Sequence, residues 1–222
     1  VLSGIIDGRF DAVVTIPDAA LGFTIPAERL KSSRYTVEYG KTLIDPQEFS
    51  EFLVSLGYVR VDLVDAPGQF ASRGGIFDVF PSVAHYTDIE GKVFFESAPF
   101  RIELFGDEID RMGLFDVETQ RIQTTVMHAT LPPAREILPD ATALAALKKA
   151  IASQRKSNRD EIAEQTLAGE AAAVETAIAD GGEISFADKY ISLVYPEKCC
   201  LLQYFTKRTV VAVTGTAAVN DR

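Results

Sequence analysis

Few residues in the sequence have chemistry to offer. Its two histidines, His85 and His128, lie far apart, and its two cysteines, Cys199 and Cys200, are adjacent. Adjacent cysteines build no disulfide framework, and neither they nor the histidines have the spacing of a tetrahedral zinc site. The thiols read as half-buried packing residues in an apolar segment. His85 reads as a loop residue and His128 as one near a strand end, each with a surface or packing role. The sequence has no G-x-x-x-x-G-K-[S/T] phosphate loop and no G-x-G-x-x-G turn. Thr214-Gly215-Thr216 lacks the lysine of such a loop and reads as a strand-end turn. No G-x-S-x-G elbow raises a serine nucleophile. Asp107, Glu108 and Asp110 could hold Mg²⁺, but such sites draw ligands from several segments and recruit a substrate phosphate; a solvated turn between strands explains them more simply. The expectation is a chain without catalytic residues, metal or cofactor.

The segment Phe100-Arg101-Ile102-Glu103-Leu104-Phe105 carries a different signal. Alternation puts Phe100, Ile102 and Leu104 on a core face and Arg101, Glu103 and Phe105 on the other. An aromatic sharing a polar face with a guanidinium is the composition of a binding hot spot. The alternative is that Phe105 tucks under the Gly106 turn while Arg101 pairs with Glu103. Arg73, before Gly74-Gly75, is a second candidate anchor, or else a surface charge beside a bulge.

The elements that must position these residues come next. Asp45-Pro46-Gln47-Glu48 has the form of a helix start: a capping carboxylate, a proline with φ preset, and an acid at the positive end of the dipole. Phe49, Phe52, Leu53 and Leu56 then make one apolar stripe, and Gly57 is a left-handed stop. Strands are predicted at 59–63, 76–80, 93–96, 100–105 and 112–115. A single helix followed by strands with no helix between them implies an antiparallel sheet and the α+β class. Pro132-Pro133 and Pro139 mark a boundary. A helix capped by Asp140 and an alanine-rich one over 158–180, stopped by Gly181-Gly182, follow it. Apolar runs at Ala12–Ile16 and Val210–Val213 read as short buried strands. If they pair, residues 41–128 are an insertion in one partial α/β domain, with 1–40 and 129–222 as its two parts.

With 222 residues, the chain makes one large domain or two small ones. It carries a formal net charge of −10, which disfavours a stand-alone nucleic-acid binder, since phosphate binding needs a basic field. Residues 41–128 hold 7 basic and 15 acidic side chains, a net of −8, so the insertion carries most of the acidity. No apolar run reaches the roughly 18–20 residues of a membrane span, and no signal peptide is recognisable at the start. A cytoplasmic location is expected.

The strings Gly57-Tyr58-Val59-Arg60-Val61-Asp62 and Pro67-Gly68-Gln69-Phe70-Ala71-Ser72-Arg73-Gly74-Gly75-Ile76-Phe77-Asp78-Val79-Phe80-Pro81 resemble the UvrB-like module of bacterial transcription-repair coupling factors. So does Phe100 to Asp110, with Phe115-Asp116-Val117-Glu118-Thr119-Gln120-Arg121 after it. UvrB shares the R-G-x-x-D-x-F-P and R-x-E-L-F-G-D-E-I strings, but the D-V-E-T-Q-R wording is that of the coupling factors. The resemblance implies a degenerate helicase-like domain interrupted by a small sheet domain that docks UvrA, the damage-recognition ATPase. It places docking arginines at Arg73 and Arg101 and a docking aromatic at Phe105. It implies a non-catalytic adaptor fragment, with RNA polymerase and DNA engaged only by parts of the longer proteins. The competing readings are a fragment of UvrB and an ATP-dependent DNA helicase, and the missing phosphate loop speaks against the second. The family usually has a short connection between Pro81 and Phe100; the strand expected at Val93–Glu96 is therefore an addition that either covers or enlarges the docking face.

Overall fold

The computed structural model describes residues 2–43, 45–180, 184, 186–205 and 208–213. Three short helices, α1 (Leu2–Ile6), α2 (Pro17–Leu21) and α3 (Ala27–Ser32), lead into strand β1 (Tyr35–Glu38). Helix α4 (Pro46–Ser55) precedes eight strands: β2 (Val59–Arg60), β3 (Gln69–Arg73), β4 (Ile76–Phe80), β5 (Ala84–Asp88), β6 (Val93–Glu96), β7 (Phe100–Phe105), β8 (Glu108–Phe115) and β9 (Ile122–Leu131). Helices α5 (Ala141–Ser157) and α6 (Glu161–Asp180) follow, then a 3₁₀ turn at Ala187–Tyr190, helix α7 (Ile191–Val194) and a second 3₁₀ turn at Leu201–Tyr204.

The strands form one open, mostly antiparallel sheet in the order β2-β3-β4-β7-β8-β9-β5-β6, with β1 also on β9. Only the short β2–β3 pair is parallel. Strand β9 serves two neighbourhoods: residues 122–125 pair with β8, while its later residues pair with β5 and β1. The β5–β6 hairpin holds the strand expected at Val93–Glu96. Although it follows β4 directly, it joins the sheet beyond β9 and pairs with neither β4 nor β7. It enlarges the sheet at the end away from β7.

Helix α4 closes the inner face of the sheet. The Asp45 carboxylate accepts from the N–H of Gln47 (2.8 Å) and of Glu48 (3.4 Å), so the predicted cap is in place. Phe49 and Leu53 are fully buried, and Phe49 meets Phe77 of β4 edge-on at 5.1 Å between ring centres. Gly57 sits at φ 84°, and a Cβ there would lie 3.1 Å from the Arg135 side chain. A side chain would be strained on both counts, so glycine ends the helix here.

Buried apolar side chains gather in two clusters. One runs from Val37 to Leu131 and lies between α4 and the sheet. The other joins residues that precede β1, such as Ile5, Ile25 and Leu30, to Ile137 through Tyr204. In the second cluster Asp140 caps α5 by accepting from Ala143 N–H at 2.8 Å, as expected, and α5 packs on α6. Cys199 is buried, Cys200 half-buried, and both are free thiols.

Several expectations need correction. Residues 12–16 and 210–213 form no strands: Val14 is 97% and Val210 88% exposed. An apolar run becomes a strand only where a neighbour supplies N–H and C=O partners, and neither run has one among the described residues. The segments on either side of the sheet meet instead at an isolated bridge, with Thr24 N–H donating to the Cys199 carbonyl at 2.9 Å. His85 lies in β5 rather than a loop, and the strand expected at 59–63 shortens to Val59–Arg60. The Gly181-Gly182 stop and the Thr214-Gly215-Thr216 turn lie outside the described residues.

Candidate protein-docking face

The alternation predicted for β7 holds. Phe100 and Ile102 are fully buried, and Arg101, Glu103 and Phe105 point to the opposite face. Strand register extends that face into two parallel rows. One row is Ala71, Asp78, Arg101 and Gly113, crossing β3, β4, β7 and β8. The next is Arg73, Ile76, Glu103 and Arg111. Phe105 stands one step further along β7, opposite Glu108.

The first row is closed. Asp78 is 1% exposed although it points away from the main core. Arg101 covers it in a two-pronged fork, Nε to Oδ1 at 2.6 Å and one terminal nitrogen to Oδ2 at 2.8 Å. Both terminal nitrogens of Arg101 also donate to Gln120, one to its carbonyl and one to its side-chain oxygen, each at 2.9 Å. The guanidinium lies 4.5 Å from the centre of the Phe115 ring. The hydrogen bonds to Asp78 push the Arg101 pKa above its ordinary value, against the opposing effect of burial.

Gln120 is the one non-glycine residue at positive φ among the described residues, at 58°. The turn that puts it there is tied by Asp116, whose carboxylate accepts from Thr119 N–H at 2.7 Å and whose carbonyl accepts from Gln120 N–H at 2.8 Å. Those Thr119 bonds hold the Asp116 carboxyl below its usual range. The left-handed turn aims both oxygens of Gln120 at Arg101. Next to Arg101, Gly113 lets β9 pack close on β8: a Cβ there would fall 2.4 Å from the Thr124 carbonyl oxygen and 2.6 Å from Ile122. The D-V-E-T-Q-R string is therefore a clamp on an arginine.

The second row is open. The Arg73 side chain is 54% exposed and touches Asp78 at 3.3 Å with one terminal nitrogen. Ile76 is 37% and Phe105 83% exposed. Phe105 therefore does not tuck under the Gly106 turn, and the partner of Arg101 is Asp78, not Glu103. The structure thus separates the three anchor candidates: Arg73 and Phe105 present their side chains to solvent, while Arg101 is held, 12% exposed, in a network. Asp107 and Glu108 lie at the β7–β8 hairpin, where backbone bonds from residues 41–43 hold them: Leu43 N–H to the Asp107 carbonyl and Ile109 N–H to the Lys41 carbonyl. Asp110 is the extra residue of the bulge between the Glu103–Arg111 and Leu104–Ile109 pairs. Among the described residues no three His, Cys, Asp or Glu side chains converge as metal ligands.

Sequence reasoning missed Asp78, Gln120 and Phe115 as partners of Arg101. An aspartate on the outward side of an Ile-Phe-Asp-Val-Phe strand was the available signal. The arginine it needs lies 23 residues on, and only register joins them.

The family described as UvrB interaction domain matches residues 36–137, the span that holds the whole face. A transcription-repair-coupling factor of Bacillus subtilis (strain 168) is 28% identical over 214 residues, 94% of this chain and 17% of that protein. One from Staphylococcus aureus (strain USA300) is 27% identical over 191 residues, 85% of the chain and 15% of the protein. The chain is similar over most of its length to transcription-repair coupling factors, and residues 36–137 to the UvrB interaction domain. It spans less than a fifth of the length of these relatives. A third, from Staphylococcus aureus (strain MRSA252), is 31% identical over 137 residues, 62% of the chain and 10% of that protein. No helix of the module, among its described residues, is long and apolar enough to cross a membrane.

Proposed function

We propose that the module is an adaptor that binds UvrA through the open row of the outer face, coupling stalled transcription to nucleotide excision repair. Phe105 supplies apolar area, and Arg73 supplies donors able to take a carboxylate of the partner in a fork. Arg101, the third docking residue expected, acts mainly by fixing Asp78 and the β7–β8 surface on which the other two stand. The observation that carries the reading is Phe105: a phenylalanine 83% exposed at the end of a paired strand, inside the span matched by the UvrB interaction domain. Solvent exposure of that aromatic area has a cost that a partner removes.

The sheet domain does this as a unit inserted in a discontinuous helical one; the two separate apolar clusters support that division. RNA polymerase and DNA belong to parts of the longer relatives outside the 222 residues. The UvrB-fragment reading shares the docking face. The relatives named above favour the coupling factor over it. Hydrogen exchange on the module with and without UvrA tests the proposal. Protection is expected over residues 73–76 and 103–111. Protection confined to α5 and α6 would overturn it.

A further inference from the structure

The β5–β6 hairpin ends the sheet in a strand paired on one side. Strand β6 pairs with β5, and its other side has no partner strand among the described residues. It is short but apolar, with Val93 52% and Phe95 38% exposed. Such an edge is a template for strand addition.

The bonding pattern of the hairpin fixes the direction of its free hydrogen-bonding groups. Asp88 N–H donates to the Lys92 carbonyl at 3.1 Å, so 88 and 92 form a hydrogen-bonded pair across the hairpin. Antiparallel pairs alternate between bonded and non-bonded. With the observed register, Tyr86 with Phe94 and Ala84 with Glu96 are bonded pairs too. Val93 and Phe95 therefore point their N–H and C=O groups out of the sheet, to the free edge.

We propose that this edge pairs with the same edge of a second copy of the chain, antiparallel about a two-fold axis at Phe94. In that register Val93 of one copy faces Phe95 of the other, twice, and both residues have their backbone groups directed at each other. Four hydrogen bonds close the joint. Lys92 then stands opposite Glu96 of the second copy, again twice. The two-fold registers on either side lose this: an axis at Val93 sets Glu96 against Glu90, and an axis at Phe95 sets Lys92 against Ala98. Charge complementarity thus selects one register and one partner, the chain itself.

Four residues a side make a small contact, well under about 1,200 Å² in total, so the association is weak. Sedimentation equilibrium of the whole chain, loaded up to about 1 mM, the weak end of specific affinities, measures it. The wild type is expected to pass from monomer to dimer. Glu96→Lys turns both charge pairs into like pairs and is expected to weaken dimerisation by about tenfold, since opposed charges across strands stabilise and like charges destabilise. It also lowers the net charge of an acidic protein, so any general charge effect would act the other way. The double variant Lys92→Glu, Glu96→Lys keeps the net charge and should restore the wild-type constant. A chain monomeric throughout the range, or Glu96→Lys dimerising as well as wild type, overturns the proposal. Circular dichroism of each variant checks that it folds; Val93→Pro, which removes an edge donor, should abolish dimer in its place if Glu96→Lys does not fold.

Discussion

A carboxylate 1% exposed, bracketed by two guanidinium groups, is stable only as long as the pairing holds. Removing one member of a buried ion pair costs far more than the pair is worth, because the charge left behind has no solvent. Asp78→Asn is therefore expected to destabilise the fold by about 3 kcal/mol, read as a shift in urea midpoint, with Arg73 left as exposed as before. A loss below about 1 kcal/mol, the range of a surface pair, would show that Asp78 is not the keystone of the face. His85 gives the second prediction at this scale. Its Nε2 is buried without a hydrogen-bond partner, it stacks on Phe95 at 5.0 Å, and His128 lies 5.9 Å away. Burial, then His128 and the nearby Arg34 and Arg9, lower its pKa below the ordinary 6.5, with Asp7 acting the other way. The unfolded chain therefore takes up a proton that the fold resists as pH falls through the unfolded value, and stability falls with it. Urea midpoints measured at about pH 7.5 and about pH 5.5 should show this loss in the wild type and a smaller one in His85→Gln. Equal slopes would mean the site does not discriminate against the charged imidazole.

Single elements were legible where local rules decide them. The Asp45 and Asp140 caps, the Phe49 stripe, the Gly57 stop and the alternation of β7 all follow from neighbours within one helical turn or one strand. Strands β5 and β9 were not legible as such. His85 and Thr87 in β5, and Gln123, Thr124 and Thr125 in β9, break the apolar pattern, and their pairing spans about 40 residues of chain. The reverse failure occurred at 12–16 and 210–213, where strongly apolar runs have no strand to bond. The outward-facing candidates were legible by type, but which of Arg101 and Arg73 stays open to solvent depends on a cross-strand aspartate that no local pattern reveals. Gly113 tests the element that carries the clamp. Gly113→Ala forces the β8–β9 pair apart at the Thr124 carbonyl, and a loss of about 2 kcal/mol or more is expected, in the range of overpacked sites. An unchanged midpoint would mean that β9 gives way without cost.

Across the whole molecule, two apolar clusters share one chain of net charge −10, and residues 41–128 carry −8 of it. The sheet domain therefore shows any partner a mainly negative field, in which the exposed Arg73 and Arg111 of the open row are local exceptions. That contrast suits a protein partner with a carboxylate to offer and repels nucleic acid, in keeping with the match of residues 36–137 to the UvrB interaction domain. The β5–β6 hairpin lies beyond β9, so the proposed self-pairing edge and the proposed docking face are at different places on the sheet, and binding at one would leave the other open. The central claim is that the open row, and Phe105 above all, is what UvrA grips. Titration calorimetry of purified UvrA with the wild-type chain and with Phe105→Ala tests it most directly. Phe105 is solvent-exposed, so its truncation leaves the fold intact, and the account predicts affinity weakened by about thirtyfold, the roughly 2 kcal/mol of a central aromatic anchor. Equal affinity of the two chains for UvrA would contradict it.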